Sequence, residues 1–405
     1  MTKAHAFHTT GQAKPRFARN RLTWLSYVML AYFAYLQAVL GPILPYLRVE
    51  LHLSYAVAAW YFSLFGIGMI LAGLTADLLS RAFGRATLFW GGGGGMALGG
   101  LLVVLGHLLV VTLVGAFIMG MCGTLVMVGI QAALADQHGE QQGTALFEAN
   151  VGASLGAGLS ALCVALFAYM GVSWQWTLIF PIPVFIVCLV LGRRERLSNA
   201  ARSIERGSTS STSLPTFQTL PIRFWLSWMV LIFIVSSEWS MNFWGASFLQ
   251  SKLHFNSGSA AALLAFYLIT EIAGRLIGSR LTQVIGGRIL LLAALSTTLL
   301  GFAFFWLAPT VLLTAAGLFL TGLSISNLWP QALTLAFETV PGQLDQASAR
   351  VSLGSGLAIT IAPLLLGTLA NTTGLQLAYG IEPCLLLAAM LTTGIAAIRT
   401  TTVST

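Results

Sequence analysis

Apolar residues in this chain neither alternate with polar ones nor keep to one side of a helix. They run continuously, apolar on every side, and stop at short polar turns. Such runs predict membrane-crossing helices: about 20 apolar residues bridge the hydrocarbon core, and a helix satisfies its backbone groups within one segment. Twelve spans are expected, at 22–46, 54–77, 86–107, 110–135, 142–170, 174–191, 223–250, 258–280, 288–307, 310–337, 347–370 and 375–398. The third and fourth are the least separated, with only His107 interrupting the apolar run.

Composition sharpens this reading. Of 405 residues, 57% are hydrophobic and 8% charged, with a mean hydropathy of +0.85, whereas soluble domains carry about 25% charged residues. A water-soluble enzyme is excluded. So is a disordered or nucleic-acid-binding chain, despite the net charge of +8 and a pI near 9.6. The basic residues instead set the orientation. With the N-terminus inside, seventeen of the twenty Lys and Arg fall on the inner side, including Lys3, Lys14, Arg16, Arg19 and Arg21 in the tail. Only Arg48 and Lys252 fall outside, and Arg275 lies within the eighth span. This follows the positive-inside rule, so a multi-pass protein of the cytoplasmic (inner) membrane with both termini cytoplasmic is expected. Residues 1–21 read as a basic tail and not a cleaved leader, because the apolar run that follows is too long for one. Cys122, Cys163, Cys188 and Cys384 lie within spans and read as packing residues, neither disulfides nor metal ligands. No cofactor is expected.

The longest polar segment, 193–221, contains the run Ser208–Ser213 and reads as a cytoplasmic linker between two six-span halves, 22–192 and 222–399, with a short tail at 400–405. Its arginines read as topogenic charge beside anionic lipid. The halves repeat at an offset of about 200 residues. Ala72-Gly73, Asp77, Arg81 and Gly84-Arg85 correspond to Ala273-Gly274-Arg275, Arg280 and Gly287-Arg288. Gln131-Ala132 corresponds to Gln331-Ala332, and Gly152 and Gly156 to Gly354 and Gly356. Duplication of this kind points to a transporter with its solute site between the repeats.

On these residues the chain resembles the major facilitator superfamily over its full length. The stretch from Gly73 through Asp77 and Arg81 to Gly84-Arg85 is similar to the family signature between spans two and three, with Leu78 where a basic residue usually follows the Asp. The resemblance implies an all-α polytopic fold of twelve transmembrane helices in two pseudo-symmetric six-helix bundles. It also implies a gating role for Gly73, Asp77, Arg81 and Arg85. Gly73 would permit close helix contact, and Asp77 would pair with Arg81 or with the positive end of a neighbouring helix; a purely topogenic turn is the alternative. Two departures stand out. Met119–Gly123 in span four lacks the family's frequent Arg, and Gly152–Gly158 in span five lacks the proline of many proton antiporters.

Ionisable groups at membrane depth are costly and mark function by default. Glu148 in span five has no basic neighbour on its own helix and suits a proton carrier, unless it sits close enough to the surface to stay hydrated. Glu271 and Arg275 lie one turn apart in span eight, as a neutralising bridge or as part of a coupling relay. Span seven, which lines the central cavity in the superfamily, carries Glu238 and Asn242 at i and i+4 with Trp239 and Trp244. A carboxylate there can hold a proton or cation, and indoles can stack on a ring or organic cation; belt tryptophans are the alternative. Tyr35, Gln37, Asn150, Asn327 and Gln331 can hydrogen-bond a polar solute or simply glue helices together. Pro42, Pro45, Pro330 and Pro363 are expected to bend or end helices.

No G-x-x-x-x-G-K-[ST], H-E-x-x-H or G-x-S-x-G sequence occurs. The expectation is therefore a secondary transporter, not an enzyme, working as a monomer on a small-molecule solute and protons, with either efflux or uptake open. A non-transporting sensor or assembly partner of the same fold is the alternative.

Overall fold

The computed structural model describes residues 17–193, 220–340 and 343–401. Most of the basic tail 1–21, the linker 193–221 and the tail 400–405 therefore lie outside the described residues. Every regular element among those described is helical.

The first half contains α1 (Arg21–Ala38), α2 (Leu40–Glu50), α3 (Tyr55–Phe83), α4 (Arg85–Leu105), α5 (Leu109–His138), α6 (Gln142–Tyr169), α7 (Trp176–Ile179) and α8 (Pro181–Gly192). The second contains α9 (Ile222–Leu253), α10 (Ser257–Leu281), α11 (Gly287–Leu307), α12 (Val311–Ile325), α13 (Leu328–Glu338), α14 (Leu344–Thr373), α15 (Leu375–Ala378) and α16 (Ile381–Thr401). Eleven helical stretches are long and apolar enough to cross a membrane, with α1–α2 and α12–α13 each counting as one. A twelfth, Trp176–Gly192, is apolar but shorter. The twelve expected spans are thus all present, and the cut at His107 falls between α4 and α5.

Local chemistry explains the boundaries. Asn20, Ser54, Asn256 and Thr310 cap α1, α3, α10 and α12 by accepting from backbone N–H groups three residues on. Gly84, at φ 82°, turns the chain between α3 and α4 through a conformation that a side chain would strain. Span one breaks at Val39, ahead of Pro42, and span ten at Ser326-Asn327, ahead of Pro330. In each case proline removes the N–H that would continue the ladder. Pro363, in contrast, sits inside the unbroken α14.

The repeat is visible in the backbone. His52 and His254 both adopt φ near 50°, and Gly171 and Gly374 are likewise left-handed, each pair about 200 residues apart. Within the first half α4 packs on α5, α1 on α6 and α3 on α5; within the second, α11 packs on α12 and α9 on α14 and α16. The halves meet through α3 against α14, α6 against α10 and α2 against α9.

Those meetings are concentrated away from the end that carries Arg81, Arg85, Arg193, Arg223, Arg280 and Arg288, called here the basic end. At the far end, Gly258 backs onto Ala168, and Gly367 onto Ala59 and Tyr55. Further in, the Ser63 hydroxyl donates to the Thr360 carbonyl at 2.9 Å, and Gly41 abuts the backbone of Asn242 and Phe243. Phe62 stacks on Phe243 at 4.1 Å and meets Trp244 edge-on. The contacts end near mid-depth, at Ile70 against Gly356 and Ser154 against Arg275. Gly73, one turn nearer the basic end, has nothing within 4 Å of where a Cβ would lie. The halves are therefore in close contact toward the far end, around a recess of about 840 Å³ lined by both halves, and the close contacts stop before Gly73. The space between the halves beyond that point, toward the basic end, is called here the vestibule.

Candidate functional site

At the inner limit of the seal, three elements bring charged groups together. Arg275 on α10 donates from Nη1 to the Ser154 hydroxyl on α6 at 2.8 Å, across the two halves. Its Nη2 lies 3.8 Å from Glu238 Oε1 on α9. Glu271, one turn back on α10, is buried, and its Oε1 has no hydrogen-bond partner among the described residues. The hydroxyl of Tyr267, a further turn back, neighbours Glu271 without making a well-formed hydrogen bond among the described residues. The expected intrahelical bridge between Glu271 and Arg275 is not formed: the guanidinium reaches across to α9 and α6 instead. Interhelical partners win because they offer an acceptor on each side of the long Arg side chain.

Asn242 lies one turn from Glu238 on α9, and its amide oxygen is buried without a partner. Trp239 is partly buried with its ring 4.9 Å from Phe243. Gln37 on α1 donates only to the Met69 sulfur at 3.8 Å, a weak interaction. Glu238, Asn242 and Trp239 lie on α9 near where the halves meet, whereas Gln37 is buried on α1.

Other expectations change. Glu148 is not a lone carboxylate. It accepts from Arg19 Nε at 2.8 Å and from the Tyr27 hydroxyl at 2.9 Å, and its partner arrives from the segment preceding α1. In that segment Phe17 packs on the His138 ring, tilted by 33°, with centroids 4.7 Å apart. Trp244 is fully buried in the seal, and its indole N–H donates to the Pro363 carbonyl at 3.0 Å. It closes the far end and does not line a cavity. The Tyr35 hydroxyl donates to the Thr177 carbonyl at 2.9 Å, joining α1 to α7. Asn327 donates to the Gly274 carbonyl at 3.0 Å and fills the space beside Gly278. Gln331 is buried near Gly287, and Asn150 is exposed, donating to Leu146 of its own helix. Among these, Tyr35 and Asn327 act as interhelical glue.

In the signature turn, Asp77 pairs with Arg81 at 2.9 Å, both well exposed. Arg85 pairs with Asp136 at the end of α5 at 2.5 Å. Gly73 makes no close helix contact, contrary to expectation, because the halves are apart at this depth. The four cysteines are free, two of them buried.

One residue was missed. Glu382 in the last span is fully buried beside Tyr379 and α9 serines 237 and 240, and neither carboxylate oxygen makes a well-formed hydrogen bond among the described residues. A single acid within the otherwise apolar run 375–398 was the available signal. Two cavities lie away from the vestibule. One of about 280 Å³ is lined by Arg223, Arg288, Glu338 and Thr393 at the basic end of the second half. One of about 840 Å³ lies between Tyr46, Trp174, Gln250 and Asn256 at the far end.

Comparison with known proteins agrees with this architecture. An uncharacterised MFS-type transporter of Yersinia pestis is 24% identical over 357 residues, covering 86% of this chain and 89% of the relative. A mutant form of the nucleoside transporter NupG superposes with a TM-score of 0.76 at 12% identity, covering 93% of this chain and 99% of the other. A bacterial homologue of the human lysosomal transporter Spinster, inward-facing and occupied, gives 0.72 at 13% identity, covering 93% and 96%. The family model described as Major Facilitator Superfamily matches residues 23–266 and 228–403, nearly the whole chain. The chain belongs to the major facilitator superfamily.

Proposed function

We propose that this protein is a secondary transporter that moves a small solute by alternating access, coupled to protons through Glu238, Glu271 and Arg275. Its basic end faces the cytoplasm, with both termini there, in the inner membrane, as the arginine distribution favours. The observation that carries this reading is the position of Arg275. It touches both halves at the point where the seal gives way to the vestibule, so its partners report on how far apart the halves stand. Asp77, Arg81 and Arg85 at the basic mouth are then the groups poised to meet the other half when that end closes. Rocking of the two halves about the mid-depth cluster, parting the far-end contacts as the basic end closes, exposes the cluster first to one side and then to the other.

Glu238 faces the guanidinium of Arg275 and Glu271 lies buried one turn back on α10, so the charge of the cluster changes with the proton supply. The test is flux into proteoliposomes for a panel of candidate solutes, with and without an imposed pH gradient. Gradient-driven accumulation should be lost in Glu238→Gln, while exchange at equal pH persists. Accumulation equal with and without the gradient, or unchanged in that variant, would defeat the coupling.

A further inference from the structure

Arg275 offers more than a link between the halves. A guanidinium carries five N–H donors in a planar fork, and here one is spent on Ser154 while the approach to Glu238, at 3.8 Å, is looser than a charge-assisted hydrogen bond of about 2.7–2.9 Å. The Arg275 side chain is 41% exposed against 15% for Glu238. What the cluster presents to the vestibule is therefore the cation and not the acid. It is also the basic residue that lies deepest within an expected span, since Arg223, Arg280, Arg288 and Arg350 fall at or near span ends. Of the other cations near membrane depth, Lys252 is held by the Phe305 carbonyl and Thr314, while Arg48, at the far end, lies over the Tyr55 ring with its Nε unpartnered among the described residues.

We propose that the transported solute carries a carboxylate, which Arg275 grips bidentately in place of Glu238, and that Glu238 takes up a proton from solution as it is displaced. The proposal rests on the transporter reading above and deepens it by naming a substrate class. Charge balance dictates the coupling. A carboxylate that loses its only cation inside a low-dielectric site is costly unless neutralised, so one solute anion brings one proton with it. The charged and titratable groups near the pair are few. From α10 they are Glu271 and Tyr267, and α6 contributes only the Ser154 hydroxyl. Glu382 on α16 lies beside Ser237 and Ser240 of α9 and not in the Arg275 cluster. Arg48 and Glu50 of α2 are occupied at the far end by Tyr55 and Trp174.

The experiment needs no gradient. Purified full-length protein is heated with benzoate or lactate and, in parallel, with the neutral isosteres benzamide and lactamide. At least one acid should raise the melting temperature where its amide does not, and calorimetry in buffers of differing ionisation heat should register about one proton taken up per acid bound. Glu238→Gln removes the internal competitor and should bind that acid at least about threefold tighter, with no proton uptake. Arg275→Lys keeps the charge but loses the fork and should weaken binding about tenfold or more, and Arg275→Gln should abolish it. Stabilisation by the amides equal to that by the acids, no stabilisation by either acid, undiminished binding in Arg275→Gln, or weaker binding in Glu238→Gln would each overturn the proposal. Such a failure is distinct from that of the transporter reading, which stands if far-end cross-linking still arrests gradient-driven flux of another solute.

Discussion

A fully buried carboxyl group without a well-formed hydrogen bond is a cost that folded chains rarely carry, about 1–3 kcal/mol for a neutral polar group by mutational measures. Glu382 is such a group, wedged against α9 by Tyr379, whose hydroxyl donates to the Ser240 carbonyl at 3.3 Å. Replacing it by methionine keeps the volume and removes the orphaned oxygens. Glu382→Met is expected to gain about 1–3 kcal/mol of stability, read as a raised midpoint in thermal unfolding of the detergent-solubilised protein; a lowered midpoint would mean that the carboxylate has a partner it depends on. Residues of this kind were unevenly legible. Glu238, Glu271 and Arg275 stand out in the sequence because charge is rare at that depth. Their pairing was not legible, because spacing along one helix describes only intrahelical neighbours, and Arg275 turned to α6 and α9. Glu148 misled for the same reason: its cation, Arg19, comes from a different segment.

At the scale of elements, helices in lipid approach closely only where small residues let them, and two glycines of this chain separate that role from mere composition. Gly278 on α10 lies against the Asn327 amide at the break between α12 and α13, with no room for a Cβ. Gly278→Ala should cost about 1–3 kcal/mol through overpacking. Gly73→Ala, with open space around it, should be neutral or gain up to about 1 kcal/mol from helix propensity. Thermal unfolding of the two variants side by side checks the contrast, and equal destabilisation would contradict the packing described. The spans themselves were legible to within about six residues at their ends, since apolar runs are local signals. The interruptions at Val39 and Ser326-Asn327 were foreshadowed by Pro42 and Pro330, yet Pro363 broke nothing, because α14 continues through it on neighbouring support.

For the whole molecule, duplication was readable as an offset in sequence and reappears as paired left-handed residues, whereas the side on which the halves part could not be read from either repeat alone. It depends on contacts between halves, which no local pattern encodes. Those contacts make a direct test. Gly258 and Ala168 face each other across the far end, where an added Cβ would sit 2.5 Å from that of Ala168, inside the roughly 3.5–4.5 Å that a disulfide spans, so the two helices must part by about 1 Å to hold one. The Ala168→Cys, Gly258→Cys pair should cross-link on oxidation and arrest flux, with reductant restoring it; flux persisting in the cross-linked protein would mean that this seam never opens. Among the described residues no ion pair crosses the halves at that seam, which is built from stacked rings, small side chains and the hydroxyls of Ser63, Thr360 and Tyr46. Its strength is therefore dispersive and close-range, indifferent to salt or acidity in the surrounding medium, and lost almost entirely within an ångström or two of separation. A latch of that kind holds firmly until cargo chemistry elsewhere tips the balance, then releases all at once, like a dry joint that never has to be unscrewed.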